Sequence, residues 1–370
     1  MSVSTGTPLL PTYARFPVTF VDGDGSWLIA DDGRRYLDLI AGIAVVSLGH
    51  CHPAPLEAAQ AQLERLWHVS NLYSTQPMEE LAERLSDRFG GAQAFFCNSG
   101  TEAVEAAIKW ARKATGKTEL VALEGSFHGR TMGALSITGQ PSKRAPFEPL
   151  IPGARFATPE TLTDVVGADT AAIIVEPVQG EGGVRPLTDS TLEQARELAD
   201  EFGAMLVFDE VQTGVGRTGE FFAWQRSGVR PDALTLAKGL ANGLPVGALL
   251  VRDGAPTALV PGDHASTFGG NPVACAAACA VVDTIDDDLL AHVRDVGALF
   301  AEALPDVRGA GLLLAVELNR PAGPVAHAAL EQGLLVGTAG ETALRITPPL
   351  TISREEVQHG IALLREVIGQ

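Results

Sequence analysis

The stretch DALTLAKGLANGLPVG, from Asp232 to Gly247, decides the fold of this chain. Its first part, Ala233 to Ala237, has the composition of a short buried strand. Lys238 follows this strand directly, and a loop of glycine, asparagine and proline comes next. A lysine at the end of a buried strand is unusual, because burial disfavours its charged form. Two interpretations fit: an amine that snorkels to the surface, or a nucleophile that forms a Schiff base with an aldehyde.

The other lysines of the chain stand in different surroundings. Lys109, Lys113 and Lys117 repeat every four residues, as on the solvated face of a helix. Lys143 belongs to a polar loop. Lys238 is therefore the candidate nucleophile, and the other groups that meet it decide between the two interpretations.

Strands and helices alternate on both sides of this stretch. The apolar runs Leu120–Leu123, Ala171–Val175 and Ala204–Phe208 read as strands, and a helical pattern spans Leu192–Phe202. This alternation predicts an α/β fold with a mostly parallel sheet, in which ligands collect at the carboxyl ends of the strands. Glu176 and Asp209 each follow such a strand, as Lys238 does. We therefore expect the three side chains to share one site.

A candidate anion site precedes the predicted helix Ala103–Ala114. Ser99 and Glu102 stand three residues apart, which is the spacing of a capping box. Between them, Gly100 lets an anion approach the backbone, and Thr101 offers a hydroxyl group. The free N–H groups and the dipole of a helix start favour a phosphate. An ordinary capped helix would show the same pattern.

Composition and charge exclude several classes of partner. The 370-residue chain carries a net charge of −18, which argues against nucleic acid and anionic membranes as partners. Its N-terminus lacks the pattern of a signal peptide, and its apolar runs are shorter than the roughly 20 residues of a membrane span. We expect a cytoplasmic protein without a metal site, since the cysteines lack zinc spacing and the adjacent His50-Cys51-His52 cannot easily converge on one ion.

These groups together suit pyridoxal 5′-phosphate. Its aldehyde needs an amine, which Lys238 supplies, and its phosphate needs an anion site such as Ser99-Gly100-Thr101. Its pyridine nitrogen needs a carboxylate, for which Asp209 is suited because it ends a buried strand. Phe127 could stack on the ring.

The order of the motifs resembles the class III aminotransferases, a pyridoxal-phosphate family of fold type I. The motifs are SGTEA, SFHGRT, EPVQGEGG, DEVQTGVGRTG, AKGLANGLPVGA and TFGGNP, and the likeness extends from about Asp24 to the C-terminus. The resemblance implies a large domain with a mostly parallel mixed sheet and a smaller α+β domain. The expected boundaries are residues 1–48 for an arm and a small β-meander that joins the small domain, 49–284 for the large cofactor-binding domain, and 285–370 for the small domain.

The resemblance also implies roles for individual residues. Lys238 would hold the cofactor and move the proton, and Asp209 would pair with the pyridinium. Gln212 would bind the phenolic oxygen, and Phe127 would cover the ring. The other expected cofactor-binding residues are Ser99, Gly100, Thr101, Glu176, Val211 and Thr267. Thr267 would reach the phosphate of a neighbouring subunit, so that the active unit would be a homodimer with shared sites.

The substrates implied are small amino and keto acids. Arg130 and Arg345 would bind carboxylates, since guanidinium groups bind them in a bidentate manner. Glu181 would pair with Arg345 and release it when glutamate binds. Gly42 stands where ornithine-specific members carry a tyrosine that holds a free α-amine, so a small residue there leaves room for an acylated one. Ser266 would lie near the acyl arm.

The expected reaction transfers the terminal amino group of N²-acetylornithine to 2-oxoglutarate, as a step of arginine synthesis, and gives glutamate. The alternatives are succinylornithine, succinyldiaminopimelate, ornithine or 4-aminobutyrate as the amino donor. A mutase or epimerase on the same scaffold is a different enzyme class, and a non-catalytic interaction protein fits least, because Lys238 and Asp209 are both present. Val46, where asparagine is expected, leaves the acyl preference open. Arg185 and Arg217 are interpreted as surface or loop-stabilising residues, and His128 as a packing residue.

Overall fold

The structure is a computed structural model and describes residues 8–369. Its strands are β1 Phe20–Asp24, β2 Trp27–Ala30, β3 Arg35–Asp38, β4 Ala92–Cys97, β5 Glu119–Leu123, β6 Ala154–Ala157, β7 Thr170–Val175, β8 Val178–Gln179, β9 Arg185–Pro186, β10 Met205–Asp209, β11 Ala233–Leu236, β12 Gly247–Arg252, β13 Val307–Ala310, β14 Leu313–Glu317, β15 Leu334–Leu335, β16 Gly337–Ala339 and β17 Ala343–Ile346.

The helices are α1 Pro53–Leu63, α2 Gln76–Phe89, α3 Gly100–Thr115, α4 Met132–Ser136, α5 Pro141–Arg144, α6 Leu162–Val165, α7 Asp189–Phe202, α8 Trp224–Ser227, α9 Pro272–Thr284, α10 Asp287–Ala303, α11 Ala322–Glu331 and α12 Arg354–Ile368. Single turns of 3₁₀-helix span Ala145–Phe147, Pro159–Thr161 and Lys238–Ala241. None of these helices is both long and apolar enough to cross a membrane.

A seven-stranded sheet forms the centre of the fold, in the order β4-β12-β11-β10-β7-β5-β6. Strand β12 runs antiparallel to both its neighbours, and the other pairs are parallel. Successive residues of a strand face opposite sides, so Leu120 packs in the cluster formed with α3 and Val121 in the cluster formed with α7. Helices therefore cover both faces, and the α/β prediction is confirmed.

Three parallel strands end at the same edge of this sheet. Strand β7 is followed by Glu176, β10 ends at Asp209, and β11 is followed by Ala237 and Lys238. The side chains of Glu176 and Asp209 are buried there. This common edge is where an α/β sheet presents a ligand site.

The N-terminal strands pair with the C-terminal part of the chain. Strands β1, β2 and β3 form a meander, which β15 extends in parallel to β3. A second small sheet has the order β13-β14-β17-β16 and is antiparallel throughout. Strand β17 carries Arg345, whose Cα is paired with Ala315 on β14 and with Gly337 on β16.

A left-handed turn over residues 41–44 follows the meander. Gly42 has φ of 63°, and Ala41, Ile43 and Ala44 also have positive φ values of 47°, 67° and 60°. Such angles are costly for residues with a Cβ atom, so other contacts must hold the turn. Asp38 Oδ1 accepts hydrogen bonds from the N–H groups of Ile40 and Ala41, at 2.9 and 2.8 Å.

Several sequence-based predictions need correction in detail. Glu102 accepts from the N–H of Asn98, at 2.8 Å, instead of from that of Ser99, so a full capping box does not form there. A complete capping box does form at the start of α12, between Ser353 and Glu356. Arg217 is only 2% exposed, so it is not a surface residue, and its hydrogen bonds to the carbonyls of Leu312 and Pro348 agree with the loop-stabilising interpretation.

Candidate active site

A cavity of about 380 Å³ opens at the shared edge of β7, β10 and β11. Most of the residues expected to bind the cofactor line it. The lining residues are Val45, Asn98, Ser99, Gly100, Thr101, Phe127, His128, Gly129, Arg130, Glu176, Asp209, Val211, Gln212, Ala237, Lys238, Gly243, Leu244, Pro245 and Val246. The cavity therefore gathers residues from six separate stretches of the chain.

Lys238 projects from the first turn after β11. Its φ is 39°, a left-handed conformation that costs energy for a residue with a side chain, and Ala237 before it has φ of −167° and ψ of −133°. Strain of this kind is found most often at functional sites. Burial lowers the pKa of the Lys238 amine to about 8. A larger fraction of this amine is thus neutral, and hence nucleophilic, near neutral pH than for an exposed lysine.

Asp209 is held in a fixed orientation by three donors. Its Oδ1 accepts from the N–H of Val211 and from the hydroxyl of Thr235, both at 3.1 Å. Its Oδ2 lies 2.7 Å from Nδ1 of His128. The carboxylate is thereby pre-oriented at the cavity wall for a cationic or N–H-bearing group.

His128 is a cavity residue and not only a packing residue. Burial acts to lower its pKa, but the hydrogen bond to Asp209 and the charge of Asp209 raise the pKa of His128 overall. Its other ring nitrogen, Nε2, is buried without a hydrogen-bond partner in the described part of the chain. Sequence reasoning missed this contact, because the Ser-Phe-His-Gly loop and β10 meet only in the folded chain.

Glu176 lies behind Phe127 in the same wall. Its carboxylate accepts from the N–H of Phe127, at 2.9 Å, and from the N–H of Gly180, at 3.2 Å. Burial raises the pKa of Glu176 to about 7. The contacts indicate that Glu176 fixes the loop that carries the aromatic ring.

The start of α3 forms the opposite wall of the cavity. The first N–H groups of a helix have no intrahelical acceptor, and here they belong to Gly100 and the residues after it. A Cβ atom at Gly100 would lie 2.6 Å from a methyl carbon of Val211, so only glycine allows this close packing. The hydroxyl of Thr101 lies 2.8 Å from that of Thr131. The helix dipole and these donors favour an anion at this point.

Arg345 and Glu181 form an ion pair beside the cavity. Nη1 of Arg345 donates to Glu181 and, at 3.4 Å, to Oε1 of Gln212, which lines the cavity. Burial acts to raise the pKa of Glu181, but the charge of Arg345 lowers it below the usual range. The arginine is only 3% exposed, and its Nε has no partner within residues 8–369. Arg345 is thus a buried cation, neutralised by a carboxylate that is itself partly exposed.

Two cations lie at the ring of Phe127. The guanidinium carbon of Arg130 is 5.5 Å from the ring centroid, and Nζ of Lys143 is 4.7 Å from it. Burial lowers the pKa of Lys143. The sequence analysis had interpreted this lysine only as part of a polar loop. Both side chains make the mouth of the cavity suited to a carboxylate. No motif in the sequence singles out Lys143.

Five of the expected site residues do not line the cavity of this single chain: Arg345 and Glu181, which pair beside it, and Gly42, Ser266 and Thr267. Gly42 is exposed in the left-handed turn. Val45, which directly follows this turn, lines the cavity. Ser266 accepts from the side-chain amide of Asn98, at 3.2 Å, and from the N–H of Gly269, at 3.0 Å. Thr267 is exposed to solvent.

The chemistry of this donor set fits pyridoxal 5′-phosphate. An amine with a lowered pKa, a carboxylate fixed by three donors and an anion site at a helix start all face one cavity, and Phe127 and Val211 offer apolar surface for a ring. The volume lies within the usual range for cofactor sites. Within residues 8–369, no cluster of three or more His, Cys, Asp or Glu side chains could hold a metal ion.

Comparison with known proteins gives one consistent result. The sequence profile described as "Aminotransferase class-III" matches residues 11–368. The chain is 46% identical to the acetylornithine aminotransferase of Aquifex aeolicus, over 98% of this chain and 100% of that protein. It is 48% identical to the acetylornithine aminotransferase of Corynebacterium efficiens, over 98% of this chain and 95% of that protein.

Solved structures show the same fold. The ornithine aminotransferase from Toxoplasma gondii ME49 matches with a TM-score of 0.91 and 31% identity, over 98% of this chain and 92% of that one. The N-acetylornithine aminotransferase from Stenotrophomonas maltophilia K279a matches with a TM-score of 0.82 and 36% identity, over 96% of each chain. The overall fold is therefore shared by proteins with different named amino donors.

Proposed function

The chain belongs to the class-III aminotransferase family, and on that premise we propose that it transfers the terminal amino group of N²-acetylornithine to 2-oxoglutarate. The products are N-acetylglutamate 5-semialdehyde and glutamate, so the reaction is a step of arginine synthesis. The chain is an enzyme of the aminotransferase class, and its cofactor is pyridoxal 5′-phosphate. The substrate assignment is supported by the acetylornithine aminotransferases that align over nearly the whole chain.

One observation supports a two-substrate reaction above all others: the ion pair between Arg345 and Glu181 at the cavity. A transaminase of this kind must bind a donor that presents its terminal amine and then a partner that presents its α-amine. Glu181 can neutralise Arg345 while acetylornithine occupies the site. When glutamate binds, its α-carboxylate can take the place of Glu181, because a carboxylate pairs with a guanidinium in the same way.

The bound cofactor supplies an electrophilic aldehyde and an electron-withdrawing ring. Within this chain, the amine of Lys238 can carry a proton between donor and acceptor atoms, since its pKa is lowered to about 8. Asp209, fixed by Val211, Thr235 and His128, can hold a positively charged N–H group. The start of α3 would hold the phosphate of the cofactor, and Arg130 at the mouth would bind a substrate carboxylate.

Preference for an acylated donor rests on Gly42. A Cβ built at Gly42 would be in ordinary van der Waals contact with side-chain carbons of Val45 and Val46, both at 3.7 Å, and no hydrogen-bonding group is among these nearest atoms. Val45 itself lines the cavity. A position without a hydrogen-bonding side chain suits an N-acyl group better than a free α-ammonium. Ornithine is the second candidate donor, because the fold matches an ornithine aminotransferase with a TM-score of 0.91.

The experiment that tests the switch compares the two half-reactions separately. Replacement Arg345→Ala should lower kcat/KM for glutamate by about ten- to a hundredfold, the effect of one lost charge-assisted hydrogen bond. The acetylornithine half-reaction should change much less. Arg130→Ala should impair both. Equal losses in both half-reactions for Arg345→Ala would contradict the proposed role of Glu181 and Arg345.

The active unit proposed is a homodimer. Thr267 is exposed and does not line the cavity of its own chain, which is consistent with a role in the site of a second subunit. Phe268 beside it is 61% exposed, and Trp67, Leu72 and Tyr73 are 68%, 85% and 68% exposed. Asn71 links these two segments by donating to the carbonyls of Ser266 and Gly269. Such an apolar surface suits a partner. Sedimentation of an active monomer would contradict this proposal.

We also propose the domain boundaries and the location. The division into residues 1–48, 49–284 and 285–370 is supported by the pairing of β3 with β15, which joins the N-terminal meander to the C-terminal part. Limited proteolysis with identification of the cleavage sites tests these boundaries. A role in amino-acid synthesis fits the cytoplasm, and cell fractionation tests that assignment.

A further inference from the structure

Arg217 is a buried cation in the long loop between β10 and β11. It is 2% exposed, and the structure records no carboxylate in contact with its guanidinium among residues 8–369. Nη1 donates to the carbonyl of Leu312, at 3.0 Å, and to that of Pro348, at 2.5 Å. Nη2 is buried without a partner in the same range of residues. Burial lowers the pKa of Arg217 to about 9.

A buried guanidinium that binds only neutral carbonyls is costly, because desolvation of the charge is not offset by an opposite charge. Apolar packing at the same place would avoid this cost. The loop that carries Arg217 packs closely against Gly311 and Leu312. The N–H of Leu312 donates to the carbonyl of Arg217, at 2.9 Å, and a Cβ atom at Gly311 would lie 2.5 Å from the carbonyl carbon of Thr218. Packing alone therefore does not explain why a charged residue occupies this buried position.

The two carbonyls lie just beyond the ends of β14 and β17, the strand pair that includes Arg345. In the antiparallel pair of β14 and β17, Leu314 faces Ile346 and Ala315 faces Arg345. Leu312 and Pro348 are the positions that continue this register just beyond the end of the ladder. Arg217 thus joins the two strands where their own hydrogen bonding stops, two residues beyond Ile346.

The same loop carries the cavity-side contact of Arg345. Gln212 lies five residues before Arg217, lines the cavity and accepts from Nη1 of Arg345, at 3.4 Å. The loop therefore holds the strand of Arg345 at two points, through Gln212 at the guanidinium and through Arg217 at the strand end. A displacement of β17 would move Arg345 relative to the cavity.

We propose that Arg217 is a positioning residue that sets the place of Arg345, and hence the affinity of the site for the α-carboxylate of the second substrate. This inference rests on the proposed function of Arg345. It assigns to Arg217 an effect on one half-reaction only, since acetylornithine does not require free Arg345. A misplacement of about 1 Å can cost up to a hundredfold in rate.

The test uses the holoenzyme and two replacements, Arg217→Met and Arg217→Lys. Methionine keeps apolar bulk without a donor, and lysine keeps a charge and donors that reach the carbonyls with different geometry. Arg294→Met is the matched control, because Arg294 also donates to a carbonyl of this loop, that of Gly219, but is half-exposed and pairs with Glu220 instead of bonding to the ends of β14 and β17. Stopped-flow absorbance measures each half-reaction, and calorimetry measures the Kd of glutarate, a dicarboxylate that cannot react.

For Arg217→Met we expect kcat/KM for glutamate to fall about tenfold and the Kd of glutarate to rise by a similar factor. The acetylornithine half-reaction should stay within about twofold, and Arg217→Lys should give an intermediate loss. Arg294→Met should alter neither half-reaction. In the Arg345→Ala background, Arg217→Met should have no further effect on glutamate, because both changes act on the same contact.

Two results would overturn the inference. Equal losses in both half-reactions for Arg217→Met and Arg217→Lys would show a general structural role, as would an undiminished effect in the Arg345→Ala background. If Arg217→Met does not fold, Arg217→Lys carries the same comparison. A normal glutamate half-reaction in Arg345→Ala alone would instead contradict the proposed function, so the two failures are distinguishable.

Discussion

Replacement Glu181→Gln changes the balance between the two substrates. Glutamate must displace the carboxylate of Glu181 from Arg345, and a neutral amide competes less strongly for the guanidinium. A hydrogen bond to a charged group contributes about 1.5–3 kcal/mol against about 0.5–1.5 kcal/mol for a neutral one. The difference of about 1–1.5 kcal/mol corresponds to roughly five- to tenfold, so kcat/KM for glutamate should rise by about that factor.

The acetylornithine half-reaction should respond in the opposite direction. With the amide in place, Arg345 keeps an uncompensated charge beside the cavity while that donor is bound, and its Nε is already without a partner in the described residues. The ratio of kcat/KM for glutamate to that for acetylornithine should therefore rise by more than the roughly five- to tenfold expected from glutamate alone.

Separate stopped-flow half-reactions give this ratio. The control is Glu317→Gln, which removes the carboxylate of another arginine pair in the same small sheet, that with Arg308. The control should leave the ratio unchanged. A ratio that stays constant or falls in Glu181→Gln would refute the switch, even if both rates change.

Three further predictions concern the amine, the substrate mouth and the buried carboxyl. Lys238→Ala should retain the cofactor during gel filtration but lose amino transfer, and near-normal turnover would remove the amine from the mechanism. Gly42→Tyr should raise the ornithine-to-acetylornithine ratio of kcat/KM relative to Gly42→Ala, which carries the same strain at φ of 63° without a phenol; equal ratios in the two variants would contradict this. Glu176 has a pKa raised to about 7 from 4.5, so its contribution to stability is fully present below about pH 4.5 and is lost as the pH rises through 7. In the cofactor-free protein, the Glu176→Gln variant should escape this loss, which amounts to up to about 3 kcal/mol of the free energy of unfolding. The Tm of the variant minus the Tm of the unmodified protein should therefore increase between pH 5 and pH 8, and a difference that does not change with pH would contradict the prediction.

The central sheet and the placement of three site residues could be predicted from the sequence. Each of Glu176, Asp209 and Lys238 follows an apolar run, and parallel strands end at one edge of a sheet, so local pattern and topology agree. The helix start at Ser99 was also readable, because its capping residues are local.

Long-range contacts could not be predicted in the same way. Arg217 stands in a glycine-rich loop, and its burial depends on carbonyls 95 and 131 residues away. The contact of His128 with Asp209 likewise joins residues 81 positions apart.

The left-handed turn was hidden for a different reason. Ala41, Ile43 and Ala44 disfavour positive φ, so their own preferences point away from the observed conformation. The turn is held by Asp38 and by Thr347, whose hydroxyl donates to the carbonyl of Ile40, at 3.0 Å. Local preference was overruled by tertiary hydrogen bonds.

The most direct test of the proposed function is a panel of amino donors with 2-oxoglutarate. We would measure kcat/KM of the unmodified enzyme for acetylornithine, succinylornithine, ornithine and 4-aminobutyrate, and follow glutamate as the common product. The lack of a phenol at Gly42 and the presence of Arg130 at the mouth predict that acetylornithine gives the highest value and that ornithine is lower by about tenfold or more. A panel led by ornithine or 4-aminobutyrate would contradict the acetylornithine assignment.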